Sequence, residues 1–415
     1  MTYSKMTYDV IIIGAGLAGC STAIQLAQRG HQVLLLEQQR YPTHKLCGEF
    51  LSVEVLATFD FLGISEAVEK AGAVPIHRSL VTTTTGQSFA SSLPGVALGL
   101  SRYHLDLSLL QRAAAVGVTC QEGALVTGVT GTLDQGFTVT TPQDHFTARM
   151  VIGAYGKRSR LDRTLQRPFL QRSAPFVAFK GHYRGVEFPA SVELHAFPGG
   201  YCGLSPIEEG QVNICWIAHK DALSSPTQDD SAPQTSPVTH PILYQNPRLA
   251  DRLNTLSSVR GSTQALTQIT FALKEKFHHD IWMLGDTAGM IAPLCGDGMA
   301  MALRSSELAV PLAHAFLQNE LRTVTLKERY TRQWNQEFKT RLSLGRLMHY
   351  GLINPHLAKV GVALCQYIPP IGTALIRATR GTAYSQITRF NLLADLSFIP
   401  TIAFKNDRTQ GSWDD

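Results

Sequence analysis

Charged residues, disulfide spacing and long apolar runs are all scarce in this 415-residue chain. Charged residues make up 17% and hydrophobic residues 44%. That excludes the polar, highly charged composition of a disordered chain and leaves apolar side chains for a sizeable core in two or three domains. The net charge of +5 is modest, and no nucleic-acid partner is expected. The seven cysteines, Cys20, Cys47, Cys120, Cys202, Cys215, Cys295 and Cys365, are odd in number and contain no Cys-x-x-Cys pair. This excludes a regular disulfide framework and a zinc site, so no metal is expected, and free thiols fit a reducing, cytoplasmic compartment. The apolar run Val10–Ile13 is too short for the core of a signal peptide. Val360–Ile376 carries no charge but is short for a membrane span, and Pro369-Pro370 would break it as a helix.

The charge that is present is uneven. Residues 321–380 hold ten Lys/Arg against two Asp/Glu, a net +8, which leaves the remainder near −3. A local basic excess of this kind suits an anionic surface. The helical pattern of Arg341–His349 and Leu352–Ala374, apolar with basic residues and tyrosines interleaved, fits a peripheral contact with membrane lipid, a cap over a cavity, or packing on the rest of the protein as core.

Tyr8–Ile13 is a short β-branched run, hence a buried parallel strand. Gly16–Arg29 has small and apolar residues at helical spacing and ends at Gly30, and Gln32–Leu36 is a second buried strand. Gly14-Ala15-Gly16-Leu17-Ala18-Gly19 lies between strand and helix, and Glu37 ends the second strand. The order matters physically. Gly14 permits a tight turn, Gly16 lets backbone approach a pyrophosphate, Gly19 allows close packing, and the acid accepts hydrogen bonds from a ribose diol. The helix N-terminus offers free N–H groups and partial positive charge. Glu37 would also repel a 2′-phosphate, which argues against NADP at this position.

Further on, Val53–Gly72 reads as helix interrupted at Gly63, Ile76–Ser92 as strands, and Arg102–Val116 as an amphipathic helix. Val118–Ile152 and Phe176–Ile217 read as strands, and Asp221–Pro241 as a mobile loop. Ile281–Leu284 is another buried strand. It runs into Gly285-Asp286, then Pro293, Gly296, Gly298 and Met299 at the start of a long helix. From Leu326 the pattern is mostly helical.

The Gly285-Asp286 segment resembles that of glutathione-reductase-type FAD enzymes. The resemblance implies that Asp286 holds the ribityl chain, while Pro293, Gly296, Gly298 and Met299 lie against the flavin. Backbone N–H groups there would favour the reduced, anionic flavin. With the N-terminal motif, the chain is similar to the p-hydroxybenzoate-hydroxylase-like flavoproteins, which include aromatic hydroxylases, halogenases and geranylgeranyl reductases. The likeness runs from about Tyr8 to about Glu328. Tyr41–Glu49, with its Lys45-Leu46-Cys47-Gly48, resembles the reductase segment near flavin and substrate. Arg102 stands where the superfamily has an arginine holding FAD. Gly153–Arg163 resembles a hydroxylase motif for FAD and NADPH, but Tyr155 replaces its aspartate, which favours a separate reductase as electron donor over NAD(P)H. Gly200–Pro206 lacks the tryptophans of the halogenases.

The implied fold is α/β. A Rossmann-type FAD-binding domain is assembled from residues 1–75, 101–165 and 276–330, a β-sheet substrate domain is inserted as 76–100 and 166–275, and a helical region follows at 331–415. The implied activity is reduction of a C=C bond in a lipophilic substrate by reduced flavin, with Cys47 or Tyr201 supplying or shaping the proton-donor side. The alternatives are an FAD-dependent monooxygenase acting on an aromatic or polyketide-like substrate, and a non-enzymatic electron relay with a partner protein.

Overall fold

Two β-sheets divide the molecule, and the chain crosses between them several times. The structure, a computed structural model, describes residues 7–185, 187–223 and 237–381. Most of the Asp221–Pro241 segment lies outside the described residues.

The first sheet has a parallel centre. Thr7–Ile13 pairs in parallel with Val33–Glu37 on one side and His145–Gly153 on the other. Ile281–Met283 and Thr119–Glu122 extend it outward, also in parallel. Its strands are therefore gathered from three separate stretches of sequence, with the antiparallel pair Gly128–Thr132 and Gly136–Thr140 attached at His145–Gly153. The β-branched run is why the first strand sits at the centre, because Val10, Ile11 and Ile12 are completely buried. Each such side chain contributes on the order of 1.5–3 kcal/mol by leaving water. Helices Leu17–Ala27 and Gly298–Leu317 pack against each other on this sheet.

The second sheet is mostly antiparallel. Its order is Leu256–Ser258, Phe176–Gly185, Gln211–His219, Gly200–Ile207, Ser191–Phe197, Val74–Thr82, Ser88–Gly99 and Phe50–Leu51. Gln264–Ile269 also pairs with Phe176–Gly185. Among the described residues its one parallel neighbour pair, Ser191–Phe197 with Val74–Thr82, joins the early hairpin to the later meander.

The helix expected after Ser52 is split at Gly63, whose φ of +72° ends Val55–Leu62 in the left-handed region. The last three helices tie the sheets together. Thr323–Ile353, 31 residues long, spans about 46 Å at the usual rise per residue. Leu326, Tyr330, Trp334, Phe338, Leu342 and His349 form its buried stripe. The first four pack into the core of the parallel sheet, while His349 touches Phe176 and Tyr201 of the second. Helices Pro355–Tyr367 and Pro369–Thr379 follow and pack on strand Ser88–Gly99. The break falls at Pro369, as proline chemistry requires.

Candidate active site

The glycine-rich turn behaves as its spacing demands. Gly14 has φ +102°, and a Cβ there would sit 2.5 Å from the Ala154 carbonyl oxygen. At Gly19 a Cβ would lie 1.9 Å from the Gly14 oxygen, so strand end and helix touch through backbone. Gly16 differs: among the described residues, and beyond its chain neighbours, a Cβ there would find only Arg102 Nη2 within 4 Å, at 3.6 Å. The helix that starts at Leu17 has no side-chain cap, so its first N–H groups are free of one. Open space before uncapped N–H groups fits a pyrophosphate.

Glu37 closes this end of the site. Its carboxylate accepts from Ala15 N–H and Gln39 N–H, both at 2.9 Å. The Tyr41 hydroxyl donates to the Ala15 oxygen at 2.8 Å. Lys45 is drawn to the same end: its ammonium contacts the Tyr41 hydroxyl and lies 3.7 Å from Glu37 and 3.3 Å from Asp106. Arg102, beside Gly16, makes two bonds to Asp106, at 2.6 and 2.7 Å. Lys45 and Arg102 therefore frame the nucleotide end around two carboxylates, with Arg102 oriented by Asp106.

The next four residues form a braced loop. Lys180 donates to the Lys45 carbonyl at 3.2 Å, Lys157 to that of Leu46 at 2.7 Å, and Asn213 to that of Cys47 at 3.1 Å. Glu49 anchors the brace. It is fully buried, contacts the equally buried Lys180, bonds His182 Nε2 at 2.7 Å, and accepts from the backbone N–H of Arg102 at 2.7 Å. Burial alone would raise the Glu49 carboxyl, but the Lys180 charge and the His182 bond hold it below the usual carboxylate range. Held this way, Cys47 and Gly48 line the central cavity, and among the described residues none beyond the chain neighbours of Gly48 lies within 4 Å of a Cβ position there.

At the opposite end, Ile281–Met283 runs into Gly285, with φ +56° and its N–H donating to Ser305 Oγ at 3.0 Å. Lys274 donates to the carbonyls of Lys157 and Asp286, at 2.7 and 2.8 Å. Burial pulls its ammonium down to about 8. The Gly156 N–H donates to Thr287 Oγ1 at 2.9 Å, tying the 153–158 loop to this turn. Gly296, with φ +69°, ends the Pro293–Cys295 turn, and helix Gly298–Leu317 begins without a side-chain cap. Gly16, Leu17 and Ala18 from one helix start share a single cavity with Asp286, Gly298 and Met299 from the other. Two uncapped helix N-termini facing one slot, 282 residues apart in sequence at Gly16 and Gly298, suit a ligand with an anion toward each end.

Tyr201 also lines the cavity, but its hydroxyl is engaged. Leu294 N–H donates to it at 3.2 Å, and it meets His349 Nδ1 at 3.2 Å. Burial raises the phenol further, so Tyr201 shapes the Pro293–Gly296 turn as a neutral group. Tyr155 points its hydroxyl at Met283 Sδ, 3.6 Å away. Ser159 and Asp162 of the same segment form a capping box on Arg160–Thr164, a local structural use of those positions.

The whole cavity, slot and chamber together, holds about 310 Å³, and Val81, Leu194, Leu204, Ile217 and Ile269 from the second sheet form one wall of it. Met348 and Ile376 from the C-terminal helices complete the wall. An apolar chamber thus adjoins the dinucleotide slot.

Sequence reasoning passed over Glu49, Asp106, Lys180, His182, Asn213 and His349. A signal existed for two of them: Lys180 and His182 alternate on one face of a strand whose central residues are buried.

A parallel sheet, a glycine turn bonded to a terminal acid, and a Gly-Asp turn that shares one cavity with the helix start after the glycines define an FAD-dependent oxidoreductase. The chain belongs to the FAD binding domain family, whose model matches residues 7–333. It is 26% identical to digeranylgeranylglycerophospholipid reductase 2 of Methanopyrus kandleri, over 80% of this chain and 83% of that protein. It is likewise 26% identical to a menaquinone reductase of Mycolicibacterium smegmatis, over 73% of this chain and 76% of that one. The solved structure of the myxobacterial chondrochloren halogenase CndH superposes with a TM-score of 0.72 at 18% identity, covering 94% of this chain and 90% of that one. That last likeness is one of fold.

Proposed function

We propose that this protein reduces a C=C bond in a lipophilic substrate with electrons from bound FAD. The observation that carries the reading is the apolar chamber of Val81, Leu194, Leu204, Ile217, Met348 and Ile376, which opens onto Cys47, Gly48 and the Gly298 helix start. A chamber whose lining is mostly apolar favours an aliphatic or polyprenyl chain and keeps water from the reacting bond. Two relatives that are reductases by name, of digeranylgeranylglycerophospholipid and of menaquinone, support the same class.

FAD supplies the hydride chemistry. In this reading Gly14, Gly16 and Gly19 seat its pyrophosphate, Glu37 and Lys45 its adenosine ribose, and Arg102 its phosphate charge. Asp286 takes the ribityl chain. Pro293, Gly296, Gly298 and Met299 lie against the ring. Cys47 faces the substrate from the braced loop, and Tyr201 holds the turn opposite. With Tyr155 in place of an acid at the 153–158 loop, electrons come from a separate reductase in preference to direct NAD(P)H.

The test is anaerobic. Holoprotein reduced with dithionite is mixed with digeranylgeranylglycerophospholipid or menaquinone. The expected result is reoxidation of the flavin and a product heavier by two hydrogens per bond reduced. A flavin that stays reduced until air is admitted, with product then heavier by one oxygen, would overturn this reading in favour of a monooxygenase.

A further inference from the structure

Among the described residues, twelve large hydrophobic side chains are exposed, and seven of them fall between Leu347 and Ile368. On helix Pro355–Tyr367 the exposed Leu357, Val360, Leu364 and Tyr367 recur at intervals of three and four and form one stripe. The buried Ala358 and Val362 lie on the opposite face, against the protein. A helix apolar on both faces has one partner too few if water is its only other neighbour.

Two observations identify the missing partner. First, residues 345–379 carry Arg346, Lys359 and Arg377 and no acidic residue, and Lys359 and Arg377 are exposed. Basic groups flanking an apolar stripe match an anionic lipid surface. Second, Met348 of helix Thr323–Ile353, which also carries the exposed Leu347 and Tyr350, and Ile376 and Thr379 of helix Pro369–Thr379 line the interior chamber. Helix Pro355–Tyr367, which carries the stripe, packs against both of these helices.

The geometry also sets the mode of contact. No single described helix is long and apolar enough to cross a membrane. Helices Pro355–Tyr367 and Pro369–Thr379 pass such a test only together, and they are bent by 111° at their junction. A bent pair with an exposed apolar stripe on its first helix suits a position in the plane of the interface better than a span.

We propose that the outer face formed by Leu347, Tyr350, Leu357, Val360, Leu364 and Tyr367 docks on an anionic lipid bilayer, and that Met348 and Ile376 are the inner threshold over which an acyl or prenyl chain passes from bilayer to chamber. The threshold rests on the lipophilic-substrate reading; the docking does not.

The experiment uses full-length holoprotein and vesicles of phosphatidylcholine, with and without phosphatidylglycerol, and reads co-sedimentation without substrate or turnover. Wild type is expected to sediment with the mixed vesicles and to be released by high salt. The V360E/Y367E double variant is expected to bind about tenfold more weakly while keeping its FAD content and melting temperature. L273E, a charge placed at an exposed leucine away from the stripe, is expected to bind as wild type. The proposal is overturned if wild type stays in the supernatant with both vesicles, or if V360E/Y367E sediments as wild type does. It is also overturned if wild type is a dimer that V360E/Y367E makes monomeric and neither sediments, since a second copy would then cover the face.

Discussion

The hydroxyl of Tyr201 meets Nδ1 of His349 at 3.2 Å across 148 residues of sequence. Tyr201 belongs to the second sheet and His349 to the long C-terminal helix, while Leu294 N–H, from the turn at the proposed flavin end, bonds the same hydroxyl. One phenol therefore couples sheet, helix and turn. Tyr201→Phe keeps the ring and leaves Leu294 N–H and His349 without that partner. The expected cost is about 1–3 kcal/mol, read as a lower melting temperature together with a changed absorbance of the bound flavin. A variant identical to wild type in both would show that the turn is held by other contacts.

His349 itself should give the protein a sensitivity to acid. Burial pulls its imidazole down to about 4 from an ordinary 6.5. The unfolded chain takes up this proton near 6.5 and the folded chain only near 4, so the unfolded state holds more protons in between. The stabilising effect is complete above pH 6.5 and is lost as pH falls toward 4, by about 3 kcal/mol at most. His349→Phe removes this titration and leaves the other histidines in place. The stability gap between wild type and variant is then expected to narrow from pH 7.5 to pH 5. A gap that stays constant with pH counts against the assignment.

The glycine turn separates folding from cofactor binding. Gly14→Ala places a Cβ 2.5 Å from a backbone oxygen at φ +102° and is expected to give insoluble protein. Gly16→Ala meets only the Arg102 side chain, 3.6 Å away, and should fold. Its new methyl group occupies the space proposed for the pyrophosphate, so FAD affinity is expected to fall by about tenfold, or about 1.4 kcal/mol. Equal FAD affinity in Gly16→Ala and wild type would place the pyrophosphate elsewhere.

What the sequence could reveal was what the local backbone dictates. Gly14, Gly19 and Gly285 answer to turn geometry within a few residues, and the helix break at Pro369 to the missing N–H of proline. The buried strands declared themselves because a parallel strand covered on both faces must be apolar throughout. Partnerships across the fold carry no such local mark. Lys180 and Glu49 lie 131 residues apart. Asp297, buried between Arg341 and Arg380, reads in sequence only as the residue before a helix. Ser159 and Asp162 show the reverse case: their spacing resembled a cofactor motif, and the structure uses them to cap a five-residue helix.

The buried pair of Glu49 and Lys180 offers the sharpest test of how the Cys47 loop is held. Both side chains are fully buried, so neither charge can turn to water. Glu49→Gln preserves shape but strands the Lys180 ammonium, and removing one partner of such a pair typically costs about 3–5 kcal/mol. Lys180→Met leaves Glu49 with His182 and the Arg102 N–H, so it should cost less. The double variant has no stranded charge and should recover most of the loss, because a neutral pair of similar volume avoids both desolvation penalties. The loop adds a second readout. With Lys180 no longer held, the Lys45 carbonyl loses its brace, and Cys47 should react faster with a thiol reagent in Glu49→Gln than in wild type. If the double variant is as unstable as Glu49→Gln, the loss comes from packing and not from an unpaired charge. If Cys47 reactivity is unchanged throughout, the loop is fixed by Lys157 and Asn213 alone.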